Sequence, residues 1–208
     1  MTTVDQTPTG FDWRIYSDVP LPPILAAALT YFQEEGYHGT TVRNIATKVG
    51  LTMPTLYYHF GNKEGILFAL LDAAMDDFWA HGDACLEDAA GDTQKRFENF
   101  ITSLGLHYTH RRDLAMLHDE FRFLGPDFRA KYLVKRNLVA EVLETLIKDG
   151  NNEGIFSVED PHLTALALLG MLGGILDWYR STGPLSPAEI ADHYTRYAIR
   201  LVLKPPAA

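Results

Sequence analysis

Thr41-Val42-Arg43-Asn44-Ile45-Ala46-Thr47-Lys48-Val49-Gly50-Leu51-Thr52-Met53-Pro54-Thr55-Leu56-Tyr57-Tyr58-His59-Phe60-Gly61-Asn62-Lys63-Glu64 carries two short helix signatures in succession. Val42, Ile45, Ala46 and Val49 fall at i, i+3, i+4 and i+7 behind Thr41 as N-cap, and Gly50 ends the run. The second signature runs from Met53 to Phe60, with Thr52 as cap, Pro54 in the first turn, Leu56 and Phe60 one turn apart, and Gly61 as the stop. A turn of Gly50, Leu51 and Thr52 between such helices has helix-turn-helix spacing. With Leu51, Leu56 and Phe60 assigned to the core, Met53, Pro54, Thr55, Tyr57, Tyr58 and His59 face outward. Thr55 and His59 can bond base edges or phosphates, tyrosine hydroxyls can donate to phosphates, and Met53 or Pro54 can touch thymine methyls. Lys63 supplies charge for a phosphate, while Thr41 and Arg43 can hold the backbone from the preceding helix. A plain trihelical core with surface tyrosines satisfies the same spacing.

Outward from this segment, helical periodicity dominates, and no stretch alternates apolar and polar residues between turn signals. The fold class is therefore all-α, with about nine helices. Helix 1 starts near Pro22 and Pro23, carries Leu25, Leu29 and Phe32 on one face, and stops at Gly36. Later helices are expected over 63–88, 94–110, 113–124, 127–148, 161–180 and 187–203. The organisation reads as a flexible arm over residues 1–20, part of which is expected to lie against the body through Phe11, Trp13, Ile15 and Tyr16. A three-helix DNA-binding domain over 21–66 and a ligand-binding and dimerisation domain over 67–208 follow.

The run Gly36-Tyr37-His38-Gly39-Thr40-Thr41, continued through the segment quoted above, resembles the tetracycline-repressor (TetR) family, and Leu56-Tyr57-Tyr58-His59-Phe60 with Asn62-Lys63-Glu64 is the most distinctive part. The resemblance covers about residues 20–70, and the helix order beyond agrees with it. It implies a homodimer on a pseudo-palindromic operator in double-stranded DNA, usually as a repressor. It places Thr41, Arg43, Thr52, Met53, Pro54, Thr55, Tyr57, Tyr58, His59 and Lys63 at DNA-contacting positions. Within residues 20–66, however, Arg43, Lys48 and Lys63 are matched by Glu34, Glu35 and Glu64. Hydrogen bonds, helix N-termini and paired binding are then expected to carry more of the affinity than bulk charge.

The 208-residue chain has a net charge of -9, which argues against non-specific coating of DNA but leaves room for a local reading surface. A hydrophobic content of 47% excludes a wholly disordered chain. The single cysteine, Cys85, is read as an apolar filler. Met1 to Gly10 lacks the features of a signal peptide, and the apolar run from Leu163 to Leu176 reads as a buried helix rather than a membrane span. A cytoplasmic location and no membrane partner are expected.

From Leu163 to Tyr179 almost every residue is apolar, so the helix requires cover on most sides. The family resemblance implies a four-helix dimer interface here, with Leu163, Ala167, Gly170 and Gly174 joined by Ile190, Tyr194, Tyr197 and Leu201. Burial within one subunit is the alternative. The resemblance also implies a pocket among the aromatic middle helices, for which Phe100, Leu104, Tyr108, Met116, Phe121 and Trp178 are the candidates. Arg111, Arg112, Arg122, Arg129, Lys131, Lys135 and Arg136 form a basic cluster, read as solvated helix faces or as an anion site at the mouth of that pocket. Asp160-Pro161, Trp178-Tyr179-Arg180 and Gly183-Pro184-Leu185-Ser186 look like family members that sense fatty-acyl or steroid-derived coenzyme A thioesters. His107, His110 and His118 lack a companion carboxylate or cysteine at ligand spacing and are expected to be satisfied or exposed. No catalytic motif, metal site or cofactor is expected. A helical ligand-binding or protein-binding dimer that does not read DNA is the competing function.

Overall fold

The computed structural model describes residues 11–204. It contains α1 (Pro23–Gly39), α2 (Val42–Lys48), α3 (Met53–Phe60), α4 (Lys63–Glu87), α5 (Thr93–His110), α6 (Arg112–Ala115), α7 (Pro126–Asn152), α8 (Pro161–Gly173), α9 (Ile175–Trp178) and α10 (Pro187–Val202). A 3-10 segment, Met116–Phe123, joins α6 to α7. Among the described residues the β pairing amounts to one isolated bridge, Phe156 with Leu203.

Three expected helices differ in detail. Gly36, at φ +71°, kinks α1 where a stop was predicted, and one further turn follows it. The predicted helix over 113–124 is instead α6 plus the 3-10 segment, whose tighter winding sets His118 and Phe121 beside Tyr132. The predicted helix over 161–180 divides at Gly174, between α8 and α9. The run from Leu163 to Leu176, expected as a buried helix, is largely uncovered within the subunit: only 22% of the 18-residue window Pro161–Trp178 is buried.

α5 is the central helix, burying Phe97, Phe100, Ile101 and Leu104 among α4, α7 and α10. The fit against α10 is close: a Cβ at Gly105 would stand 3.0 Å from the Ala191 backbone. α10 therefore turns Ile190, Ala191, Ala198 and Val202 inward. Ile190, expected at a dimer interface, is 1% exposed and belongs to the subunit's own core.

The arm is docked over its described part, while residues 1–10 lie outside the described residues. Trp13 is buried, with its indole N–H donating to Asp88 at 3.2 Å, and Tyr16 stacks between His81 and His110. Arg111 fixes this strap by donating to the Ser17 carbonyl at 2.6 Å while pairing with Asp77. Phe11, though half-exposed, meets the His81 ring edge to face at 4.9 Å, and Ile15 points to solvent.

Candidate nucleic-acid interface and ligand cavity

The helix-turn-helix is assembled largely by contacts between near neighbours in sequence. Thr41 accepts a hydrogen bond from the Asn44 N–H at 3.1 Å, Thr52 caps α3, and Asn62 accepts from the Gly65 N–H at 2.8 Å. Gly50, at φ +68°, supplies the left-handed turn that redirects the chain between α2 and α3. Leu56 is the buried anchor of α3, packed with Ile45 and Ala46, and truncating such a residue to Ala costs about 2–5 kcal/mol. Leu51 departs from the sequence reading: it is 40% exposed, because the turn carries it past the core.

With Leu56 fixed, α3 presents Pro54, Tyr57, Tyr58 and His59 to solvent, and Tyr58 is 86% exposed. Met53 and Thr55 are only half-exposed: Met53 leans on the core, and the Thr55 hydroxyl lies 2.9 Å from that of Thr52. Thr41, Arg43 and Thr52 are exposed beside them, and Arg43 has no ion-pair partner among the described residues. Lys63 is less free than its sequence position suggests. Its ammonium donates to the carbonyls of Tyr37 at 2.7 Å and Thr40 at 2.9 Å, and burial lowers its pKa. It ties α4 to the end of α1, a role that the search for phosphate-binding charge missed.

The same corner reaches the rest of the chain. Tyr37 stacks on Phe123 with centroids 5.0 Å apart, and the Gly125 N–H donates to the Glu64 carboxylate at 2.6 Å. The boundary expected at residue 66 falls inside α4, so a displacement of α4 is carried directly to α3.

Behind α4 lies a cavity of about 510 Å³, a size ordinary for small-molecule sites. Met75 and Phe78 of α4, Leu104, His107 and Tyr108 of α5, and residues of the 3-10 segment, α7, α8 and α9 line it. Of the predicted ligand residues, Leu104 and Tyr108 reach the lining. Phe100 is instead fully buried core packing, Met116 and Trp178 are exposed, and Phe121 is half-buried against the Arg129 and Arg136 guanidinium groups. Residues sharing a helix diverge here because the 3-10 winding and the Gly174 break rotate their side chains off the expected faces.

The basic cluster is also divided by the fold. Arg111 is paired with Asp77, Lys135 with Asp72 and Asp76, and Arg112 donates to the Leu176 carbonyl. Arg136 alone of the seven lines the cavity, exposed at its rim beside Asn137, Asp119 and Asp177. His118 lies 2.6 Å from the Tyr132 hydroxyl, and burial with the Arg136 charge lowers its pKa to about 4. His107 contradicts the expectation of a satisfied or exposed histidine: it is 2% exposed and neither ring nitrogen has a hydrogen-bond partner. Sequence spacing carried no signal for this orphan, which arises from the surrounding helices.

Of the expected interface residues, Leu163 is 62% exposed, with Ala167, Gly170, Tyr197 and Leu201 also exposed. Gly174 and Tyr194 are half-buried. Leu166 extends this apolar surface, and both Leu166 and Gly170 also border the cavity.

An exposed α3 on a capped helix-turn-helix, joined by α4 to a helical body with a cavity, defines a one-component DNA-binding regulator. Residues 24–70 match the family described as bacterial regulatory proteins, tetR family, and residues 90–202 match the tetracyclin repressor-like C-terminal domain. The chain belongs to the TetR family of transcriptional regulators. It is 27% identical over 173 residues to the HTH-type transcriptional repressor KstR2 of Mycobacterium tuberculosis, covering 82% of this chain and 86% of the relative. The crystal structure of the TetR-family regulator PfmR from Thermus thermophilus superposes with a TM-score of 0.76 at 29% identity, covering 85% of this chain and 97% of that one. AibR in complex with isovaleryl coenzyme A and operator DNA gives 0.76 at 27% identity, covering 84% and 95%.

Proposed function

We propose that the protein is a cytoplasmic homodimeric repressor that leaves its operator when an elongated apolar effector of the acyl-coenzyme A type enters the cavity. The observation that carries the reading is α3, held by buried Leu56 while Pro54, Tyr57, Tyr58 and His59 stand in solvent. In this reading residues 21–66 read DNA and 67–208 bind effector and partner. Tyr57, Tyr58 and His59 enter the major groove with Met53, Pro54 and Thr55, while Thr41, Arg43 and Thr52 meet phosphates. Lys63 positions α3 through its bonds to α1 and keeps one donor for a phosphate.

The apolar surface of α8 and α10 supports a second copy as its cover, since Leu163, Leu166, Tyr197 and Leu201 are large and exposed together. Arg136 at the rim of an apolar cavity suits an anionic headgroup on an apolar tail. The repressor name of KstR2 and the coenzyme A ligand of AibR support the sign of regulation and the effector class. α4 bridges both ends, so an effector that packs differently against Met75 and Phe78 shifts the spacing of paired α3 helices. The test is footprinting on DNA adjoining the protein's own gene, with and without acyl-coenzyme A thioesters of graded chain length. Protection that a thioester abolishes supports the reading. Absence of protection without ligand overturns it.

A further inference from the structure

The cavity has a polarity gradient. Its buried wall is largely apolar, formed by Met75, Phe78, Leu104, Ala115 and Val139; the half-buried Tyr108 and His118 also reach the lining, and His107 is the polar side chain most deeply buried in it. Charged and polar groups stand at the opposite, exposed rim, where Arg136, Asn137 and Asp119 lie. Buried polar atoms nearly always find a partner, and leaving one without costs far more than replacing it with an apolar group of the same shape. His107 leaves both ring nitrogens without one.

Neighbours leave no internal role for that imidazole. Phe78 meets its ring edge to face at 5.2 Å, and His118, 6.4 Å away by centroids, is already engaged with Tyr132. Burial, reinforced by the charge of Arg111, keeps His107 neutral. A neutral imidazole offers one N–H donor and one acceptor nitrogen but no charge, so it suits an uncharged oxygen, whereas a carboxylate carried to this buried wall would lie there without a compensating charge.

We infer that His107 is a specificity-determining residue that hydrogen-bonds an uncharged oxygen, a carbonyl or hydroxyl, at the buried end of an otherwise apolar effector. The inference deepens the effector reading above and rests on the cavity being the effector site. It divides recognition between the two ends of one ligand. The rim takes the charged head, and His107 separates oxygenated tails from plain hydrocarbon tails. A site built around a hydrogen bond rejects an analogue that lacks it more strongly than an apolar pocket rejects a missing methylene.

Two matched pairs of probes test this on the full-length protein. Octanoyl-coenzyme A and 7-oxooctanoyl-coenzyme A are titrated calorimetrically, and 2-nonanone is set against its isostere 2-methyl-1-nonene by thermal shift. Wild type is expected to favour the oxo member of the thioester pair about tenfold to a hundredfold, and to be shifted further by the ketone than by the alkene. His107→Phe, which keeps a flat ring and removes both nitrogens, is expected to erase the preference in both pairs, whereas His107→Gln retains part of it. Ligand-free His107→Phe is expected to unfold at a temperature no lower than wild type, because the replaced group has no internal partner. Equal response to both members of each pair, or a preference that survives in His107→Phe, overturns the inference. Oxygen preference in the ketone pair without binding of either thioester upholds His107 and overturns the coenzyme A reading alone.

Discussion

The helices before residue 63 and those after it handle their side chains in opposite ways. α2 and α3 are short, capped by their own neighbours, and present polar and aromatic groups to water around a small buried set, Val42, Ile45, Ala46 and Leu56. The later region is built on the long helices α4, α5, α7, α8 and α10 with the short α6 and α9 between them; it buries histidine and arginine, encloses a cavity, and leaves leucines in solvent on α8 and α10. The first region is closed within about 25 residues of chain, so its geometry depends on local rules of capping and turns. The second depends on how α4 to α10 meet, and its exposed leucines and unpaired His107 are left without a partner inside the folded chain.

Five experiments sharpen or break this contrast. The largest effect is expected at the joint between the regions, where a Cβ on Gly65 would lie 1.9 Å from the Phe60 carbonyl oxygen. Gly65→Ala is expected to destabilise the protein by about 4 kcal/mol or more by urea unfolding, since backbone must move. Wild-type stability in that variant would show that α3 and α4 are less tightly joined than described.

Next, Leu163→Asp on the exposed apolar face is expected to weaken self-association about a hundredfold by sedimentation equilibrium, with a charge placed in an apolar interface. The monomer's secondary structure should persist by circular dichroism. If association is unchanged, a different surface pairs the subunits.

The third test uses acid. His118 titrates at about 4 when folded and 6.5 when free, so the unfolded chain takes up a proton between those values that the folded chain refuses. Stability therefore falls as pH drops through that window, by about 2 kcal/mol at pH 5 for this group alone. Urea midpoints at pH 8 and pH 5 should converge partly in His118→Gln. The buried His107, also lowered, adds to the loss in the same direction.

Fourth, Tyr58→Ala is expected to cut operator affinity about tenfold in gel-shift titrations while changing stability by under about 0.5 kcal/mol, because Tyr58 is 86% exposed. Substantial unfolding in that variant would move Tyr58 from the reading face to the core. The smallest expected effect is Lys63→Met, which removes two donors to backbone carbonyls and costs about 1 kcal/mol, with DNA binding weakened less than in Tyr58→Ala. A larger DNA loss than in Tyr58→Ala would restore Lys63 as the main phosphate contact.

Particular residues show where sequence reading succeeded and stopped. The bounds of α3, Met53–Phe60, agree with the cap and stop residues, because Thr52 and Gly61 act on their immediate neighbours. The exposure of Pro54, Tyr57, Tyr58 and His59 was legible for the same reason, once Leu56 was taken as the anchor. Leu51 was misread since a turn residue has no periodic partner to fix its side. Phe100, Met116 and Trp178 were misplaced because apolar character states that a residue seeks cover without saying whether core, cavity or another surface provides it.

The amino-acid sequence by itself determined an all-α fold with helix-turn-helix spacing, because caps, glycine stops and 3.6-residue spacing act over one or two turns of helix. The DNA-reading role came from the resemblance to the TetR family. Tertiary structure alone decided the rest: that Ile190 turns inward, that Lys63 is spent on two carbonyls, and that His107 faces a cavity with nothing to bond. These outcomes are set by which distant helices converge on a side chain, and a cavity is the space those helices jointly leave.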